Sequence, residues 1–382
     1  MKVCKIKDIG IIGTGTTPSM KNKEFYDSDD IMFIKPSDFI DNRITELSSS
    51  ISYISNKSRE KARIFPAGTV LCTCIGNIGK IAIVSKEASC NQQNNYIIPY
   101  KEFDSKYVAY SLLSQRKKME SIGANAPIVP IINKTEFSNI EIPVYDSSTQ
   151  IKIAHHLDTI QSAIDNKQQQ LKELDEFVKS RFIEMFGEIE LNSEKKEWIK
   201  LKDISKIFTG TTPSTSVASN WNGDILWITP AEITKESLYV YDTERKITEK
   251  GRKSKSLDIM PPGTVLLSTR APIGKVAIVG KPMTCNQGFK NFYCNKNKIH
   301  PIYLYEIFNY NTEFLNSKGT GTTFKELSKS NAEQIKIPVP PLDLQNQFAS
   351  FVKQIDKSKF VVKQQIKDLQ ELLDSKMQEY FS

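Results

Sequence analysis

The sequence predicts an α+β fold made of two tandem copies of one globular domain, each followed by a long helix. Two observations predict it: an internal repeat at a fixed spacing of 195 residues, and, within each copy, a switch from short β-branched runs to heptad-spaced apolar residues. Lys5 to Ser19 (KIKDIGIIGTGTTPS) returns as Lys200 to Ser214 (KLKDISKIFTGTTPS), identical at 11 of 15 positions. Pro66 to Val84 matches Pro261 to Val279 at 11 of 19 positions. Cys90-Asn91-Gln92 and Ile142-Pro143-Val144 recur in the same register as Cys285-Asn286-Gln287 and Ile337-Pro338-Val339. Twice 195 nearly equals the 382 residues, so both copies are expected to be whole. The expected domains span 1–146 and 189–341, the second led in by a short linker, and the expected helices span 147–188 and 342–382.

In the globular parts, Val70 to Thr73 and Ile81 to Val84 are β-like runs punctuated by Gly68, Gly76 and Gly79, and the second copy repeats them at Val265 to Ser268 and Val276 to Val279. Each pair predicts a hairpin whose tip carries Lys80 or Lys275. Short helices, such as one around Tyr107 to Gln115, complete each domain. Ser148 and Asp343 are the expected N-caps of the long helices. In the first helix Leu157, Ile164, Leu171, Val178 and Met185 fall seven apart, accompanied by Ile160 and Leu174. In the second, Val352, Ile366, Leu373 and Tyr380 keep that spacing with one interruption at Lys359, accompanied by Ile355, Val362 and Leu369. Apolar seams at this spacing pack on another helix, and the economical solution is that the two pack on each other. About 38 helical residues span roughly 57 Å, enough to hold two domains apart.

Hydrophobic residues at 39% and charged residues at 25% fit a folded globular chain. No apolar run is long enough for a membrane span and the N-terminus lacks a secretion signal, so a cytosolic chain without membrane contact is expected. Six scattered cysteines without a Cys-x-x-Cys pair predict reduced thiols rather than a metal site or disulfides. Lys and Arg exceed Asp and Glu by 52 to 44, a net charge of +8 that suits a polyanionic partner.

A duplicated domain of this size, each copy ending in a long helix, resembles the specificity subunits of Type I restriction-modification systems. The resemblance covers the whole chain. It is carried by Thr14 to Ser19 and Thr209 to Ser214, by the Ile-Gly-Lys turns at Ile78 and Ile273, by the Asn-Gln pairs, and by Ile337 to Leu342 followed by Gln345. The first copy keeps only Ile142-Pro143-Val144 and Gln150 of that last junction. The resemblance implies two target recognition domains, each reading half of a split site in double-stranded DNA. It implies an antiparallel coiled coil that spaces the domains and docks two methyltransferase subunits, which would bind S-adenosylmethionine and methylate adenine, with restriction and motor subunits joining through the complex. The chain itself is then expected to be non-catalytic and to hold no cofactor or metal.

Its residues fit that expectation. Cys74 and Thr269 stand where a P-loop needs its first glycine, and Ile81 and Val276 where Ser or Thr should follow the lysine. Gly13-Thr14-Gly15 reads as a structural turn, since the second copy has Phe208 in place of Gly13. No Asn/Asp-Pro-Pro-Tyr/Phe motif occurs. His155 and His156 are neighbours on a predicted helix and face different ways, and His300 stands alone.

Domains reading different half-sites must share what holds fold or phosphates and differ where they touch bases. Lys80, Lys275, Thr16, Thr17, Thr211 and Thr212 are therefore the phosphate candidates. Gln92 and Gln287 join them, with loop support an equal alternative. The divergent Ile75-Gly76-Asn77 and Arg270-Ala271-Pro272 offer Asn77 for adenine and Arg270 for guanine, each against a plain surface role. Further base readers are expected in the poorly matching stretches Asp38 to Arg63 and Glu232 to Lys255. The seam residues Leu157, Ile160, Ile164, Leu171, Leu174, Val178, Val352, Ile355, Ile366, Leu369 and Leu373 are the candidates for helix pairing and partner docking. Competing readings are a solitary DNA-binding or architectural protein, a self-contained DNA-modifying enzyme, and a scaffold that uses the rod alone.

Overall fold

The computed structural model describes residues 2–126, 128–189, 198–234, 238–270, 272–320 and 325–382. Its contacts separate two compact units, residues 1–168 with 365–382, and residues 169–364. Ala271 and residues 235–237, which belong to the divergent stretches named above, lie outside the described residues.

In the first unit a five-stranded sheet has the order β2 (Gly10–Thr14), β9 (Asn94–Pro99), β6 (Val70–Thr73), β7 (Ile81–Val84) and β4 (Ile44–Leu47). Its neighbours are antiparallel except β4, which runs parallel to β7. Beside it lies a three-stranded sheet, β5 (Tyr53–Ile54), β3 (Ile31–Ile34) and β8 (Ala88–Cys90). Strands β6 and β7 are buried at every position because both of their faces are covered. Val70, Cys72, Ile81 and Ile83 pack with Val108, Ala109 and Leu112 of the helix Ser105–Ser114. The alternate residues Leu71, Ala82 and Val84 pack with Met32, Ile34, Ala88 and Cys90 of the smaller sheet. This double burial is why both runs are continuously apolar in sequence instead of alternating.

The second unit repeats the arrangement. Its larger sheet is β12 (Ser205–Phe208), β19 (Phe289–Cys294), β16 (Val265–Ser268), β17 (Val276–Val279) and β14 (Tyr239–Val240), and its smaller sheet is β15 (Arg245–Ile247), β13 (Trp221–Ile228) and β18 (Thr284–Cys285). Val265, Leu267, Val276 and Ile278 face Leu304, Ile307 and Phe308 of the helix Pro301–Tyr310, while Leu266, Ala277 and Val279 face Ile228, Met283 and Cys285. In each copy the chain's first strand pairs with the segment that leads into the long helix: β1 (Lys2–Lys5) with β10 (Glu141–Val144), and β11 (Ile199–Lys200) with β20 (Lys336–Ile337).

The long helices are Ser147–Phe186 and Leu342–Phe381, each of 40 residues. In the first unit Leu157, Ile160 and Ile164 cluster with Leu373, Ile366 and Leu369 from the far end of the other helix, closed off by Phe381. In the second unit Val178 and Phe182 cluster with Phe348, Val352 and Ile355. The start of one helix thus meets the end of the other in both units, and the pair is an antiparallel coiled coil. Leu171 and Leu174 are half-buried between these clusters along the helix. The interruption at Lys359 is an ion pair with Asp175.

A matched pair of polar locks fixes each long helix to its own domain. The buried Gln150 amide donates to the carbonyls of Glu102 and Tyr145 and accepts from Asp104 N–H at 3.0 Å. Gln345 does the same with Lys298, Pro340 and His300 N–H, the last at 2.8 Å. Tyr107 and Tyr303 hydroxyls donate to the carbonyls of Pro143 and Pro338. The shared junction glutamine therefore satisfies backbone groups of two elements at once, which a buried site requires.

Three local expectations are corrected. Asp146, not Ser148, caps the first long helix, accepting from Thr149 N–H at 3.0 Å. Asp343 lies inside the first turn of the second long helix, where its charge suits the positive end of the helix dipole. Lys80 and Lys275 sit at the necks of their hairpins and not at the tips: Thr73 Oγ1 accepts from Lys80 N–H and donates to Asn77 O, and Ser268 Oγ likewise bridges Lys275 N–H and Pro272 O.

Candidate nucleic-acid interface

The repeated motifs converge at one end of each larger sheet. The Thr-Gly-Thr-Thr-Pro-Ser loop leaves β2 and lies directly on the Asn-Gln turn between β8 and β9. Gly15 N–H donates to Asn94 O at 3.0 Å and Thr16 N–H to Cys90 O at 2.9 Å. A Cβ at Gly15 would come within 2.1 Å of Asn91 O, and one at Gly210 within 2.0 Å of Cys285 O. The repeated glycine is thus demanded by backbone contact. The hairpin loop joins the same cluster through Cys74 N–H to Gln93 O in the first copy and Thr269 N–H to Gly288 O in the second, both at 2.8 Å.

On the exposed surface of this cluster each copy carries one identical pair. Thr17 Oγ1 donates to Gln92 Oε1 at 2.5 Å, and Thr212 Oγ1 to Gln287 Oε1 at 2.7 Å. Each amide oxygen is thereby committed, so the two N–H donors of each glutamine are what the pair can offer an acceptor such as a phosphate oxygen.

The other candidates fare differently. Thr211 Oγ1 is enclosed without a hydrogen-bond partner among the described residues, so it faces the interior and not a phosphate. Thr16 Oγ1, its counterpart, points to Lys61 O at 3.4 Å. Lys275 Nζ donates to Pro230 O at 3.0 Å, which leaves two ammonium donors. Arg116, bonded to Asp41, holds that carboxyl below its ordinary range, and Lys80 is near enough to add a smaller contribution. Asn77 Oδ1 accepts from Arg116 at 3.1 Å, and a two-bonded contact with adenine would need that oxygen. Arg270 is half exposed and paired with Glu326.

Most arginines of the divergent stretches also have partners. Arg43 makes a two-bonded pair with Asp165 of its own long helix, at 2.7 and 2.8 Å. Arg59 pairs with Glu87, and Arg63 donates to Thr14 O in the shared loop. Arg252 pairs with Glu249.

Two features escaped sequence reasoning. In the second copy, Trp221 and Trp227 donate to Ser214 O and Thr211 O at 3.1 and 3.2 Å, hanging the shared loop from the smaller sheet, and Arg245 stacks 3.7 Å above Trp221. Tyr26 does the same job in the first copy, donating to Pro18 O at 2.7 Å. The position Tyr26/Trp221 is again 195 residues apart, so the repeat register held the signal. The second feature is the aromatic closure of the seam by Phe182, Phe348 and Phe381, all buried.

No group of three His, Cys, Asp or Glu able to hold a metal occurs among the described residues. All six cysteines are free, and burial pushes the thiols of Cys74, Cys285 and Cys294 up to about 12, which keeps them protonated at neutral pH. His156 Nδ1 lies 2.8 Å from the Tyr380 hydroxyl, and His300 Nδ1 caps the helix Pro301–Tyr310 by accepting from Ile302 N–H. Among the described residues no helix is long and apolar enough to cross a membrane.

A family model described as the Type I restriction modification DNA specificity domain matches residues 1–176 and again 193–371. The chain is 41% identical over 184 residues to the Type I restriction enzyme MjaIX specificity subunit of Methanocaldococcus jannaschii, covering 47% of this chain and 42% of that one. It is 34% identical over 140 residues to the HindI specificity subunit of Haemophilus influenzae, covering 36% and 30%. These matches span less than half the length of either relative. The fold is similar to the S subunit of a Type I restriction-modification system from M. genitalium, with a TM-score of 0.60 and 15% identity over 100% of this chain and 96% of that one. It is similar also to a chain from a study of complex assembly in the type I R-M system, with a TM-score of 0.61 and 16% identity over 99% and 97%.

Proposed function

Because the chain belongs to the Type I restriction-modification specificity family, we propose that it is the sequence-reading subunit of such a complex, addressing double-stranded DNA while its partners supply the chemistry. One observation carries the reading: the same loop cluster is built twice, with Thr17–Gln92 and Thr212–Gln287 alike but Ile75-Gly76-Asn77 and Arg270-Ala271-Pro272 unlike. Like parts suit the phosphates that every duplex presents, and unlike parts suit different base edges. The target is then bipartite and non-palindromic, with half-site centres about 10 bp apart so that both domains meet one face of the duplex.

The coiled coil is the dock for two methyltransferase subunits. Supporting this, Phe177, Phe360 and Val361 stand exposed on the helices, with Phe360 72% accessible. S-adenosylmethionine belongs to those partners, restriction and motor subunits join through them, and the complex works in the cytosol.

Long-read methylation mapping of the host with and without this gene tests the reading. The expected result is loss of one split adenine-methylated motif on deletion. Methyl transfer to DNA by the purified chain with S-adenosylmethionine alone would overturn it in favour of a self-contained enzyme, and an unchanged methylation map in favour of a solitary DNA-binding protein.

A further inference from the structure

The two copies differ in charge at the wall of the hairpin loop. In the first copy Ile75 and Ile131 form an isolated backbone bridge, with Ile132 N–H donating to Cys74 O. In the second, Arg270 and Glu326 form the equivalent bridge 195 residues on, with Leu327 N–H donating to Thr269 O. Behind the bridge, Asn95 of the first copy gives way to Lys290. Three positions have changed together from uncharged to charged.

The charged set is wired in a definite way. Arg270 Nε donates to Glu326 Oε2 at 3.1 Å, and Lys290 Nζ lies 3.5 Å from Glu326 Oε1 and 3.5 Å from Thr269 Oγ1. The Lys290 side chain is 6% exposed, whereas Arg270 is 51% exposed. Burial lowers the Lys290 ammonium's pKa, and Glu326 opposes that shift. The first copy closes the same bridge with two isoleucines, so the fold does not call for the charges. They add a net single positive charge beside the Gln287 turn, since Thr269, which precedes Arg270, is bonded to Gly288.

A guanidinium held at Nε keeps its Nη1 and Nη2 edge, and among the described residues neither Nη carries a bond. That edge is the one that fits guanine O6 and N7 together. We propose that Arg270 reads one guanine in the half-site of the second domain and that Glu326, backed by Lys290, is the positioning residue that aims it. This rests on the DNA-reading function above. Glu326 limits the swing of a long side chain before DNA arrives, so less ordering is left to the binding step.

The test maps methylated motifs from cells expressing the full chain with Type I methyltransferase subunits, comparing the parent with Arg270→Ala, Arg270→Lys, Glu326→Gln, and the triple variant Arg270→Ile, Lys290→Asn, Glu326→Ile. The triple variant installs the first copy's own solution and guards against misfolding of the single variants. Arg270→Lys keeps the charge but loses the planar fork. Both Arg270 variants and the triple variant are expected to relax one guanine position roughly 10- to 100-fold, with the other half-site unchanged. Glu326→Gln should relax the same position less. A parent motif with no guanine in that half-site, guanine retained in the triple variant, or losses spread over both half-sites would overturn the inference while leaving the family function intact. A parent that directs no methylation would overturn the function beneath it.

Discussion

Gln345 accepts one backbone N–H and donates to two carbonyls while fully buried, so removing its amide strands three polar groups. Each unsatisfied buried group costs about 1–3 kcal/mol. Gln345→Ala should therefore lower the melting temperature by many degrees, and Gln345→Glu should fail to restore it because it cannot donate to both carbonyls; calorimetry of the full chain checks both. Glu306 makes a second residue-scale case. Burial pushes its carboxyl up to about 7, so the fold holds the neutral acid while the unfolded chain ionises near 4.5. That contribution is fully present below pH 4.5 and is lost as pH rises through 7. Glu306→Gln should then match the parent's stability in acid, exceed it by a margin that grows as pH rises from 4.5 to about 7, and level off above that, as melts across that range would show. His300 acts with the opposite sign, since burial, aided by Lys353, pushes its imidazole down to about 4; it destabilises the fold as pH falls from 6.5 towards 4. The repeat marked Gln345, but its bonds and the burial of Glu306 and His300 were not legible in the sequence, because burial is a tertiary property.

At the scale of elements, periodicity carried far. The seven-residue spacing of Leu157, Ile164 and Val178 found the seam, and the interruption at Lys359 marked a polar crossing that Asp175 answers. The spacing missed Phe182 because it falls four residues after Val178, where the helix faces both its partner helix and the domain. There it meets Tyr303, Tyr310 and Phe348 with ring centroids 5.8, 5.3 and 5.4 Å away. Phe182→Ala should cost about 3–5 kcal/mol in the second unit, visible as a lowered denaturant midpoint. The hairpins were legible as strands and a turn, but not the side of the turn on which a lysine falls. That depends on the Thr73 and Ser268 hydroxyls bridging the loop, a hydrogen bond that propensity does not encode.

For the whole molecule, duplication was the most informative signal, since it gave the number of domains, the pairing of helices and a way to separate scaffold from variable surface. At two positions the side chain is not free in the way that sorting supposes: Thr211 Oγ1 is enclosed without a partner among the described residues, and Asn77 Oδ1 accepts from Arg116 on the surface. On the proposed function, the net charge of +8 suits a DNA complex whose affinity falls with salt according to the phosphates it contacts. Lys275→Ala should weaken all DNA sequences alike and lower the slope of log affinity against log salt by about one unit; a changed recognition motif would instead place Lys275 among the base readers.

The contacts assign residues 365–382 to the first unit although 196 residues of the second unit precede them. During synthesis the first unit therefore emerges without the Leu373 and Phe381 cover for Tyr107 and Leu157. At roughly 5–20 residues per second, the nascent chain waits roughly 10–40 s for its last turns of helix. Over that interval a ribosome-bound chain displays an apolar groove of its own making, and chaperones have a defined window in which to cover it.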